Sequence, residues 1–345
     1  MKTKITSLFG IEHPIICAGM GYVAVPELVA AVSNAGGMGI LATATLTPEE
    51  TLASVKKIRE LTDKPFGANV TLIYETAYDN ARVLIEEQVP VVNMSMGIAD
   101  WIIEGVHAYD GKIISTVVTE RHAHRAAKEG ADVLIATGHE AAGHGGDASS
   151  LVIIPLIVNA TPLPVIAAGG FGNGRGLSAA LMLGAEAISM GTRFATSTES
   201  HVHARTKDHY LRSSVLDTIY TEATDGWGNR YIKTDRLKMV AAKLSLFQSL
   251  LCIPKIKKAL HLTWPEVIIA GLKGGIDIRK SLSQAQIVGD TYSGLTQGDF
   301  ESGTVPGGQI VGAINQILPV ELIINSTIAE AEELLKSRGE QCGLI

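Results

Sequence analysis

Eight short apolar runs, each bounded by glycine or polar residues and separated by stretches of helical periodicity, dominate the first 200 positions of this 345-residue chain. They run from Pro14 to Ala18, Met38 to Ala42, Phe66 to Leu72, Val91 to Met96, Lys112 to Val117, Asp132 to Ala136, Pro164 to Ala168 and Ala187 to Met190. Such runs read as strands buried on both faces. The segments between them, including Pro26 to Asn34, Pro48 to Leu61, Ala77 to Glu87, Arg121 to Glu129 and Gly176 to Leu183, carry helical spacing. Regular alternation means parallel strands joined by right-handed crossovers, and eight units favour closure into an α/β (β/α)8 TIM barrel. A dinucleotide-binding open sheet would want GxGxxG after the first strand. Here that strand runs into Ala18, Gly19, Met20 and Gly21.

The rhythm changes after strand eight. We read residues 1–194 as the barrel, 195–283 as an inserted, small, mainly helical subdomain with little strand character, and 284–345 as a segment of one or two helices returning to the barrel. A Trp227-Gly228 turn stands alone in the insert, and the apolar stretch Leu244 to Ile253 suits a lid, a dimer contact or plain core.

Composition narrows the partners. A formal charge of −6 without a basic block argues against nucleic acid and against an anionic membrane surface. No apolar run approaches the roughly 20 residues that span a bilayer, and the amino terminus has no signal-peptide pattern. The three cysteines, Cys17, Cys252 and Cys342, show no paired spacing, so neither a disulfide framework nor a structural metal is expected, and a cytoplasmic location fits. The expected partner is a small-molecule substrate, with a homodimer left open.

Barrel chemistry gathers at the C-terminal ends of the strands. Strand seven ends in Ala168, Gly169 and Gly170, and strand eight in Gly191 and Thr192. Adjacent glycine loops that feed helix starts form a phosphate cradle, because backbone N–H groups can approach an anion and the helix dipole favours it. After strand six, His139, Glu140 and His144 lie on a loop of small residues. Their spacing does not suit a metal, whereas a loop histidine suits proton transfer. Asn69 and Thr71 point to one face of strand three, where they could hydrogen-bond a planar heterocycle. Arg193 could neutralise phosphate or pair with a carboxylate. Cys17 reads as core, and His201, His203 and His209 as a solvated face.

These segments resemble the flavin-dependent barrels that include nitronate monooxygenase, NADH:quinone reductase and flavoprotein enoyl-ACP reductase. The resemblance rests on Gly10 to Met20, Ala31 to Gly39, Pro65 to Thr71, His139 to Gly146, Pro164 to Gly170, and Leu183 through Phe194. It implies FMN held by Ala18, Gly19 and Met20, by Asn69 and Thr71, and by Ala142 and Gly143. Its phosphate would rest on Ala168, Gly169, Gly170, Gly191 and Thr192, with His144 as the catalytic residue. The chain departs from the family pattern at Ala142, where a glycine is common, at Gly145 after the histidine, and at Thr116, near the end of strand five, where some relatives carry lysine. The implied reaction is oxidation of alkyl nitronates by O2 to carbonyl compounds and nitrite. The alternatives are reduction of quinones or enoyl thioesters by NAD(P)H, and a non-catalytic flavin-binding protein.

Overall fold

The computed structural model describes residues 1–74, 76–224, 226–241, 265 and 278–343. The stretch Leu244 to Ile253 and Cys252 lie outside them. Eight parallel strands close into a barrel in sequence order: β1 (Ile15–Cys17), β2 (Met38–Ala42), β3 (Gly67–Thr71), β4 (Val91–Ser95), β5 (Lys112–Val117), β6 (Val133–Thr137), β7 (Val165–Ala168) and β8 (Ala187–Met190). Closure is made by β1 against β8, with Ile15 opposite Ile188 and Cys17 opposite Met190. Most strand residues are buried, as expected of a sheet covered on one face by helices and filled on the other by its own side chains.

The covering helices are α1 (Lys4–Phe9), α2 (Pro26–Asn34), α3 (Pro48–Leu61), α4 (Ala77–Glu86), α5 (Asp100–His107), α6 (Glu120–Glu129), α7 (Ser150–Ala160), α8 (Gly174–Met182) and the short α9 (Thr192–Ala195). Local chemistry sets their starts. α3 begins with a capping box in which the Thr47 side chain accepts from the Glu50 N–H and the Glu50 carboxylate accepts from the Thr47 N–H, an arrangement worth about 1 kcal/mol. α1, which shows too little length for a periodic signal, places Ile5 and Phe9 in one cluster with Met38, Val91, Val133 and Ala187. Those four are the first residues of β2, β4, β6 and β8, so α1 closes the N-terminal end of the barrel.

The chain divides into two compact units. One comprises Met1–Ala141, Gly146–His201 and Gln316–Ile345, and the other Ala142–Gly145 and Val202–Asn315. The second unit contains α10 (Ala204–Arg212), β9 (Thr218–Thr221), β10 (Asn229–Ile232), α11 (Asp235–Ala241), α12 (Ile278–Thr296) and β11 (Val305–Pro306). Its strands form an antiparallel sheet in the order β11-β10-β9. This corrects the expectation of little strand character in the insert: β9 and β10 are four-residue strands of mixed polarity, TIYT and NRYI, which carry no apolar run to read. Tyr231, Leu237 and Ile287 form the unit's core cluster, with Ile219 against it.

α13 (Val320–Gln341) returns to the first unit. A Cβ at Gly174 would lie 2.5 Å from the Ala331 nitrogen and 2.6 Å from the Thr327 carbonyl oxygen. Glycine at the start of α8 therefore permits the close approach of α13. Among the described residues no helix is long and apolar enough to cross a membrane.

Candidate functional site

At the C-terminal ends of β3, β4 and β5 the barrel carries a connected set of polar side chains. Asn69 donates through Nδ2 to the Asn93 carbonyl and to Ser95 Oγ, both at 3.2 Å. Thr71 Oγ1 donates to Asn69 Oδ1 at 2.9 Å, Ser95 Oγ donates to Thr71 Oγ1 at 3.1 Å, and Thr116 Oγ1 donates to Asn93 Oδ1 at 3.1 Å. Strand register causes this, since Asn69 pairs with Asn93 and Thr71 with Ser95. Asn69 and Thr71 are buried, and their mutual hydrogen bonds fix both rotamers. Sequence reasoning missed Asn93 and Ser95, although their spacing of two repeats the Asn69/Thr71 signal on the neighbouring strand.

The β1 loop lies against this set. A Cβ at Gly19 would sit 2.6 Å from the Asn69 Cβ, and one at Gly191 would meet Met20 Sδ at 3.4 Å. Gly19, Met20, Asn69, Thr71 and Gly191 are thus drawn together within the first unit. Two residues near these loops hold left-handed backbone without being glycine: Tyr22, at φ 62°, and Met96, at φ 58°. Strain of this kind costs about 1–3 kcal/mol and persists where surrounding structure over-determines it. No sequence signal marks either position.

The β7 loop turns sharply, with φ of 100° at Gly169 and 79° at Gly170. A Cβ at Gly169 would lie 2.9 Å from Ser150 Oγ and 3.0 Å from the Gly138 carbonyl oxygen. Glu140 explains that crowding. Its carboxylate accepts from the Ser150 N–H at 2.9 Å and from Ser150 Oγ at 2.8 Å, and the same hydroxyl stands 2.8 Å from the Gly169 carbonyl. Glu140 therefore caps the start of α7 and braces the glycine turn. His139 likewise braces its own loop, since its Nδ1 lies 3.0 Å from the Gly146 carbonyl and so carries the proton there. Among the described residues no group of three or more His, Cys, Asp or Glu is placed to hold a metal.

The start of α8 does not offer its dipole as expected. The Asn173 side chain accepts from the Gly176 N–H at 3.0 Å, and the Glu330 carboxylate of α13 accepts from the Gly174 N–H at 2.7 Å. A carboxylate already occupies that helix end. Arg193, buried at 6% exposure, pairs with no carboxylate among the described residues and donates instead to the carbonyls of Gln316, at 2.8 Å, and Thr196, at 3.4 Å. Burial lowers its pKa to about 10. Cys17 is buried core, its thiol pushed up by desolvation. His203 caps α10 by accepting from the Arg205 N–H.

Ala142, Gly143 and His144 are described with the second unit. There Gly143 forms an antiparallel bridge with Arg230 of β10, and the Tyr220 hydroxyl of β9 donates to the Gly145 carbonyl at 2.9 Å.

The family model described as nitronate monooxygenase matches residues 2–116 and 75–330. The chain belongs to the nitronate monooxygenase family. With this family it shares the oxidoreductase class and the closed eight-stranded barrel. It is 34% identical over 341 residues, 96% of each chain, to the (3aS,4S,5R,7aS)-5-hydroxy-7a-methyl-1-oxo-octahydro-1H-indene-4-carboxyl-CoA dehydrogenase of Mycobacterium tuberculosis. A probable nitronate monooxygenase of Staphylococcus aureus is 31% identical over 271 residues, covering 65% of this chain and 76% of that one. Among solved structures, FabK from Thermotoga maritima superposes with a TM-score of 0.82 at 33% identity over the whole of both chains.

Proposed function

We propose that this chain is an FMN-dependent oxidoreductase that carries out two-electron chemistry on a carbon substrate held as a coenzyme A-type thioester, with His144 as its proton-handling residue. The observation that carries the substrate class is the span of the thioester-named relative, 96% of this chain, against 65% for the probable nitronate monooxygenase. Within the first unit the residues fit a flavin mononucleotide. The paired turns at Gly169, Gly170 and Gly191 leave main-chain amides free of Cβ atoms, which suits a phosphate. The fixed amide and hydroxyls of Asn69, Thr71, Asn93, Ser95 and Thr116 suit the alternating donors and acceptors of a flavin ring edge. Ala18, Gly19, Met20, Ala168 and Thr192 complete the set from the first unit.

When bound, the flavin supplies two-electron transfer, and the protein supplies orientation, electrostatics and exclusion of side reactions. The chain's own groups do the rest. Thr71 and Ser95 hold Asn69 in one rotamer, so its amide is pre-set rather than ordered on binding. Glu140, through Ser150, holds the Gly169 turn in the conformation that faces an anion. The His144 imidazole can take or return the proton that accompanies oxidation or reduction at the substrate carbon.

Oxidation of alkyl nitronates by O2 to carbonyl compounds and nitrite is the second reading, favoured by the family model over most of the chain. Anaerobic visible spectra decide between them. Rapid bleaching by NADPH or NADH, followed by reoxidation with crotonyl-CoA, supports the thioester reading. Bleaching by ethylnitronate, with no response to reduced nicotinamide, overturns it in favour of nitronate oxidation. Failure to take up FMN removes both.

A further inference from the structure

The Trp227-Gly228 turn and the β9–β10 hairpin acquire a purpose once the residues on either side of His144 are followed. Gly143 is fixed by its backbone bridge to Arg230. Gly145 is fixed through its carbonyl by the Tyr220 hydroxyl at 2.9 Å. Arg230 and Tyr220 are themselves cross-strand partners in the hairpin. The Arg230 guanidinium lies 5.6 Å from the Tyr220 ring centroid, over its face, and its Nη1 donates to Thr218 Oγ1 at 3.0 Å. Arg230 is only 3% exposed, so this stack is held by the unit's interior. Gly228 makes room for the contact: a Cβ there would lie 1.8 Å from the Tyr220 hydroxyl oxygen and 2.4 Å from its Cζ. Gly143, by contrast, has nothing within 4 Å of where a Cβ would be, and its φ of 77° is what requires glycine.

We infer that Tyr220 is a positioning residue for His144, acting through the Gly145 carbonyl, with Gly228 as the gap that admits its hydroxyl. The inference rests on the proposed role of His144 and adds the element that aims it. A loop of small residues has little rigidity of its own, because glycine restricts its backbone least. With both neighbours tied to one hairpin, the imidazole is carried by a rigid sheet rather than by a free loop. Displacement of a reacting group by about 1 Å can cost on the order of a hundredfold in rate, so release of one of the two ties has a measurable effect.

The test uses the flavin-loaded, full-length protein and compares wild type, Tyr220→Phe, Gly228→Ala and His144→Ala. Turnover is measured with NADPH plus crotonyl-CoA and, separately, with ethylnitronate plus O2, across pH 5–9, alongside the FMN dissociation constant and Tm. Tyr220→Phe keeps the ring and the Arg230 stack and loses only the hydroxyl. It is expected to lower kcat about ten- to a hundredfold, to leave FMN affinity and KM within threefold, and to move the pH limb that His144→Ala abolishes. Gly228→Ala, which drives the hydroxyl off Gly145, is expected to reproduce that profile. Tyr220→Phe turnover within twofold of wild type, while His144→Ala is inactive, overturns the inference and leaves the proposed function standing. A rate loss matched by loss of FMN and of Tm, with the pH limb unmoved, also overturns it. If His144→Ala itself keeps full turnover, the proposed role of His144 falls, and this inference with it.

Discussion

Replacement of Gly169 by alanine tests whether the turn after β7 is built for an anion. Two costs add. At φ 100° an L-residue lies outside its favoured regions, at about 1–2 kcal/mol. The new methyl group would also stand 2.9 Å from Ser150 Oγ and 3.0 Å from the Gly138 carbonyl oxygen. Ser150 is tied to Glu140 and Gly138 donates its N–H to the Ala168 carbonyl at 3.0 Å, so neither yields freely, and overpacking of this kind adds about 1–3 kcal/mol. The total, about 2–5 kcal/mol, corresponds to roughly 4–10 °C in Tm at the lower end of the per-kcal sensitivity of large domains. Relief of the clash must rotate the Gly169–Gly170 peptide, and with it the amides proposed to face the phosphate. Purified Gly169→Ala protein is therefore expected to show a lower Tm and a flavin-to-protein absorbance ratio reduced by tenfold or more, while riboflavin, which lacks the phosphate, binds with an affinity closer to that of wild type. A variant that keeps wild-type FMN content and Tm within about 1 °C would refute the reasoning.

Glu140→Ala removes the carboxylate that caps α7 and is expected to cost about 1–2 kcal/mol, read as a shift of the urea midpoint, with weaker FMN retention because Ser150 is released. Asn69→Ala leaves Thr71 without its acceptor and is expected to weaken FMN and riboflavin equally, which titration of the apoprotein separates from a phosphate effect. Arg193→Met strips two carbonyls of their donor and is expected to destabilise the protein by about 2–3 kcal/mol; calorimetry that shows no loss would mean that those hydrogen bonds are idle. Burial holds the His13 imidazole below its ordinary pKa, so the unfolded chain binds its proton near pH 6.5 and the folded chain only at lower pH. The unfolded state is then the more protonated one in that window, and stability falls as pH drops below about 6.5. Denaturant midpoints for His13→Leu between pH 7 and 5 are expected to fall less steeply than those of wild type.

The barrel was legible because its strands are buried on both faces and so appear as unbroken apolar runs. Met38 to Ala42, Lys112 to Val117 and Ala187 to Met190 match the observed strands residue for residue, and the others shift only at their ends. α5 and α7 escaped for opposite reasons. α5 has eight residues, too few for a secure period, while α7 reads SLVIIPLIVNA, so uniformly apolar that no face stands out. Within the barrel unit, Asn69 and Thr71 were read from strand alternation, Gly191 from glycine placement, and Gly19 and Met20 from the family resemblance, and the structure draws them together. The roles of Glu140 and Glu330 were not legible. Glu330 reaches across 156 positions to its amide, and no local pattern encodes a cap supplied from so far along the chain. β9 and β10 were missed for want of apolar alternation, and with them the hairpin that fixes Gly143 and Gly145.

The bond from Glu330 to the Gly174 amide also has a bearing on synthesis. At 5–20 residues per second, the 156 residues between them take roughly 8–30 s to translate. Once β8 has been made, early in that interval, the nascent chain holds all eight barrel strands, but the first amide of α8 waits for its carboxylate and the cleft beside Gly174 waits for the backbone of α13. α8 is therefore finished from outside its own neighbourhood, long after its residues have been translated. A product cut short between Met190 and Glu330 keeps all eight barrel strands and still lacks the cap and the packing that α13 gives to α8.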